Sequence, residues 1–152
     1  MIQRIQSLFL LGVVIISILL FFLPFSEKIA PDAVFNLELN HVTKTVGMVK
    51  EVVSSQYLLM ILNLFVAVLA FYTIFLFKNR KNQVKLCMLN VLFATLLLIF
   101  VFTQSESMLP TDVRPHYLTG LYLVALQIIF LVAAQRFIRK DEKLVRAADR
   151  IR

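Results

Sequence analysis

Residues 57–77 read YLLMILNLFVAVLAFYTIFLF. Fourteen of these 21 positions are Leu, Ile, Val or Phe, and the only amide is Asn63. Each such apolar side chain favours insertion into hydrocarbon by about 0.3–0.6 kcal/mol near a span centre, so one amide cannot reverse the sum. At a helical rise of 1.5 Å per residue the run matches a hydrocarbon core ~30 Å thick. Three further runs repeat the pattern: 5–23, ended by Pro24; 84–103, with Lys85 near its start; and 117–137, flanked by Arg136 and Arg139. Four such runs in 152 residues predict one transmembrane domain over 1–152, an all-α four-helix bundle in a membrane.

Composition agrees. The chain is 60% apolar and only 16% charged, and its mean hydropathy is +0.84. A soluble domain is nearer 45–50% apolar and ~25% charged, and one this short still exposes much of its surface. A soluble globular protein, a disordered tail and a disulfide scaffold are excluded. A cleaved signal peptide does not fit the first run, which is longer than the ~7–15 apolar residues of such a segment. The residues after it, Pro24 to Lys28, offer no small-x-small site.

Charge sets the expected orientation. Four spans place the N-terminus, the 78–83 loop with Lys85 and the 138–152 tail on one side. That side carries twelve Lys or Arg against three acids; the other carries four basics and six acids. Positive charge collects on the cytoplasmic side, so both termini are expected there. This asymmetry accounts for the formal net charge of +7 without a nucleic-acid partner.

The outer loops are 24–56 and 104–116. In the first, Phe35, Leu37 and Leu39 alternate with Asn36, Glu38 and Asn40, which predicts a short strand. After Thr45, Val46, Val49, Val52, Val53 and Tyr57 follow a helical period and predict an amphipathic surface helix. In the second, Pro110 and Pro115 stop the preceding helix. Tyr57, Tyr117 and Tyr122 suit an interfacial belt. The tail has no Gly or Pro, so the fourth helix is expected to continue through it; Glu142 and Arg146 form an i,i+4 pair. A narrow stripe of Leu144, Val145, Ala148 and Ile151, and acids interleaved among its bases, favour a protein partner over lipid for 140–152.

Sites are few. No span centre holds an ionisable residue, which argues against a coupled carrier. Ser17, Asn63, Thr73, Asn90, Thr95 and Gln127 are the polar groups within spans, and Asn63, Asn90 and Gln127 are the best candidates for interhelical hydrogen bonds. With no GxxxG motif, the bundle is expected to pack through bulky side chains. His41 and His116, even with Glu38, Glu106 and Asp112, have no metal-ligand spacing, and Cys87 reads as apolar filler. Nucleophile, zinc-protease, phosphate-loop and dinucleotide motifs are absent, so no enzyme, no cofactor and no metal are expected.

Three segments carry a resemblance: Met1 to Ser7, Phe75 to Leu86 (FLFKNRKNQVKL) and Lys140 to Arg152 (KDEKLVRAADRIR). Together they resemble a family, a domain of unknown function, of small four-span inner-membrane proteins of Bacteroidota. The resemblance implies a bacterial inner membrane with the outer loops in the periplasm, and brings no activity or catalytic residue. All three segments fall on the expected cytoplasmic face. The expected function is therefore a non-enzymatic subunit or adaptor in the lipid bilayer. It would meet a membrane or cytoplasmic protein, or lipid, through Arg4, Lys78, Arg80, Lys81, Lys140, Lys143, Arg146 and Arg150. The alternative is a small carrier or lipid-binding protein with a cavity among the helices.

Overall fold

The computed structural model describes residues 3–76, 79–108 and 110–150, the side chains at 3, 4 and 145–150 excepted. Four helices are present: α1 (Gln3–Leu19), α2 (Tyr57–Phe75), α3 (Arg80–Ser107) and α4 (Thr119–Arg150). Each packs against its two neighbours in a closed ring, α1 with α2 and α4, and α3 with α2 and α4. Among the described residues α2, α3 and α4 are long and apolar enough to cross a membrane, while α1 is a shorter apolar helix. Turns extend α1 through Phe22, where Phe21 and Phe22 donate to the carbonyls of Ile18 and Leu19. Asn79 caps α3 by accepting from the Asn82 N–H, and α3 ends where Met108 becomes extended. As the lack of Gly and Pro predicts, α4 runs unbroken to Arg150.

The fold is not the all-α bundle expected above. Five strands, β1 (Ser26–Ile29), β2 (Val34–Leu37), β3 (His41–Val46), β4 (Val49–Ser55) and β5 (His116–Tyr117), form one antiparallel sheet of order β4-β3-β2-β1-β5. The helix expected after Thr45 is instead the β3–β4 hairpin. Gly47, at φ +58°, turns the chain between Val46 and Val49, which pair across the two-residue loop. A helix cannot pass through that conformation, and β-branched Val46, Val49, Val52 and Val53 suit strands better than helix. His116, expected in the second outer loop, and Tyr117, expected to open the fourth span, are instead the edge strand β5, and the fourth helix begins only at Thr119. At the other edge β4 is exposed along its whole length. A register shift opposite Val42 and Thr43, together with Lys50 and Glu51, protects that edge from adventitious pairing.

The sheet covers one end of the bundle, here the sheet end. Leu37, Leu39 and Val42 enter one apolar core with Ile16, Leu20, Leu59, Leu62, Leu97 and Val101 of the helices. Leu37 and Leu39 are the inward set of the alternation seen in the sequence. A second core around Leu10, Val66, Ala94, Leu131 and Ile138 fills the half toward the far end. Side-chain bulk is not the only packing device: a Cβ on Gly12 would lie 2.7 Å from the Phe130 ring, so α1 and α4 approach closely there.

Candidate functional site

Two sets of polar groups stand out, one inside the bundle and one at its far end. The inner set begins on α1. Ser17 Oγ donates to the Val13 carbonyl at 3.0 Å and accepts from Gln127 Nε2 of α4 at 2.6 Å. Gln127 Nε2 also donates to the Val13 carbonyl at 3.3 Å. Asn63 Nδ2 of α2 donates to the Ser17 carbonyl at 3.0 Å. One turn of α1 thus receives both neighbours. Toward the far end Asn90 Nδ2 of α3 donates to the Val66 carbonyl of α2 at 3.1 Å, and Gln83 Nε2 repeats this one level on, to the Thr73 carbonyl at 3.1 Å. Asn63, Asn90 and Gln127 are therefore all placed between helices, fully buried. Gln83 joins them although it was read as part of the basic loop; its spacing of seven from Asn90, two helical turns, was the available signal. In each of these four amides, and in Gln6, the carbonyl oxygen is buried without a hydrogen-bond partner.

The far end gathers charge. Antiparallel helices bring the start of α3 beside the last turns of α4, where the Arg80 guanidinium donates to the Asp141 carbonyl at 2.9 Å. Lys81, Lys85, Arg136, Arg139, Lys140 and Lys143 are exposed there, and Arg139 leans on the Met88 sulfur at 3.6 Å. Asp141 is turned inward and buried. Of the other basic candidates, Lys78 lies outside the described residues, as do the side chains of Arg4, Arg146 and Arg150; the Glu142–Arg146 pair and the part of the stripe beyond Leu144 fall there too. On the outer surface of α4, Ile128, Ile129, Val132, Ala133, Arg136 and Phe137 line an apolar groove of about 460 Å³.

Charge at the sheet end is used differently. Lys28, on β1, is fully buried. Its ammonium donates to the carbonyls of Glu106 at 2.9 Å, Met108 at 2.7 Å and Pro110 at 3.3 Å. All three protons are satisfied, and the C-terminal end of α3, where carbonyls lack helical donors, gains a cation at the negative end of the dipole. Ser105 already donates to the Val101 carbonyl, so in its 2.7 Å contact with Ser26 Ser26 is the donor. Nothing in the sequence separated Lys28 from the surface lysines. Glu38 pairs with Lys50 at 2.7 Å and His41 at 3.1 Å. The Tyr117 phenol is pushed above its ordinary value, first by burial, then by the charge and hydrogen bond of Glu106. Among the described residues no group of three or more His, Cys, Asp or Glu could hold a metal ion.

No curated protein matches the chain. A family match covers residues 2–151, nearly the whole length, so the chain belongs to the family described as Domain of unknown function (DUF4293).

Proposed function

We propose that the chain is a non-enzymatic, multi-pass protein of a bacterial inner membrane, of the kind found in Bacteroidota, acting as a subunit or adaptor. The far end, with both termini, lies in the cytoplasm and contacts a membrane or cytoplasmic protein through Arg80, Lys81, Lys140 and Lys143, with Arg4, Lys78, Arg146 and Arg150 from the flanking segments. Support for the membrane comes from the exterior of the helices, where Leu8, Phe22, Leu64, Val68, Phe71 and Ile129 stand more than half exposed; such a surface is stable in hydrocarbon and not in water. In this reading α1 with its terminal turns also crosses the membrane, as the first of four spans. The observation that carries the partner contact is the cluster of exposed cations at the far end. Asp141 of the same segment is buried, and the exposed cations form a basic surface to match an acidic one. Purification of the full chain in mild detergent, followed by identification of bound proteins, tests this. A stoichiometric partner lost from Lys81→Glu/Lys143→Glu supports the reading; a partner retained by that variant contradicts it.

A second reading has one observation behind it. Five buried amide oxygens without partners, on Gln6, Asn63, Gln83, Asn90 and Gln127, suit ordered water or a small polar ligand held in the bundle. Co-purification of a small polar molecule with the wild-type chain, lost on Asn90→Leu, supports this carrier reading over the adaptor.

A further inference from the structure

We propose that the groove on α4 is a binding site for one anionic phospholipid, an acyl chain lying against Ile129, Val132 and Ala133 and the phosphate meeting Arg136 and Lys140. The inference rests on the membrane placement proposed above and adds a specific ligand to it. Ala133 forms the dent: a methyl between the larger Ile129 and Phe137 leaves about 460 Å³ open along the helix, within the ~300–1,000 Å³ of small-molecule sites. Steps of three and four place Ile129, Val132, Ala133, Arg136, Lys140 and Lys143 on one face of α4. The face is therefore apolar toward the middle of the span and wholly cationic below it. Phe137, at its border, is held by stacking on Phe9 at 5.5 Å, which keeps the groove wall in place.

Charge complementarity selects the occupant. By sequence the segment is diluted by Asp141 and Glu142, which argues against lipid. The structure takes both carboxylates off this face: Asp141 is turned into the bundle and buried, and Glu142 lies about 120° around the helix from Arg136. A zwitterionic lipid would fill the groove equally but gain less from the cations. Each basic residue near an anionic headgroup contributes ~1 kcal/mol, about fivefold in affinity.

The test uses the full chain in nanodiscs of zwitterionic phosphatidylcholine containing a minor fraction of phosphatidylglycerol, with lipids retained on release counted by native mass spectrometry. Wild type is expected to keep one phosphatidylglycerol in preference to phosphatidylcholine. Ala133→Phe, which fills the dent on the outer surface, and Arg136→Gln each lower that retention about fivefold or more. Arg139→Gln, equal in charge but engaged with Met88, leaves it unchanged. Equal retention of the two lipids, an unchanged Ala133→Phe, or an equal loss in Arg139→Gln overturns the site. Cell fractionation of the same chains separates the two claims. Recovery in the membrane without lipid selectivity defeats the site alone, while recovery outside the membrane defeats the functional reading beneath it.

Discussion

The two ends of the bundle hold lysines in opposite ways. At the sheet end Lys28 is fully enclosed and gives all its protons to backbone carbonyls. At the far end Lys81, Lys140 and Lys143 stand exposed, while Asp141 beside them is buried. The first arrangement joins a sheet to a helix terminus and leaves nothing for a ligand. The second contributes little to folding and leaves charge on offer. Net charge alone cannot tell these uses apart; burial and hydrogen-bond partners can.

The largest effect should follow from breaking the sheet-end joint. Lys28→Met leaves the buried Met108 carbonyl and the part-buried carbonyls of Glu106 and Pro110 without this donor. Thermal unfolding in detergent should show a loss of about 3 kcal/mol, with the sheet loosening first by hydrogen exchange at β1. A loss below ~1 kcal/mol would mean that water takes the place of the ammonium. Next in size is Ser105→Ala, which removes the Ser26–Ser105 contact across the same joint and should cost about 1 kcal/mol in the same assay.

The helices were largely legible in the sequence, and the joint between sheet and helix was not. Hydropathy located the helices because an apolar surface some 20 residues long has few other uses. The amides were findable because each sits alone in an apolar run. The sheet was misread in part because Val46, Val49, Val52 and Val53 satisfy a helical period as well as a strand one. Gly47 decides between them, because its positive φ makes a turn that the apolar periodicity does not report. Lys28 was invisible in kind: its role depends on the end of α3, some 78 residues away in sequence, which no local pattern reports. The inward turn of Asp141 was equally beyond a count of charges.

Between the two ends lies the inner set. Asn63→Leu removes one interhelical bond but also the unpartnered Oδ1, so the loss should be modest, about 0.6 kcal/mol. A variant more stable than wild type would show that the amide is kept for a ligand and not for packing. The smallest effect on stability belongs to the far end. Lys81→Gln/Lys140→Gln/Lys143→Gln should unfold within ~0.5 kcal/mol of wild type while losing the co-purifying partner; a large loss of stability would mean that these cations are structural after all.

Orientation decides which compartment the far end meets, and paired cysteine labelling measures it. Cys87 is buried, so Asp32→Cys at the sheet end and Lys81→Cys at the far end, both exposed positions, report their own side. A membrane-impermeant maleimide applied to cells with a permeabilised outer membrane and an intact inner membrane should label residue 32 and spare residue 81 until the inner membrane is opened. Labelling of residue 81 with the inner membrane intact would place the basic face away from the cytoplasm and contradict the account.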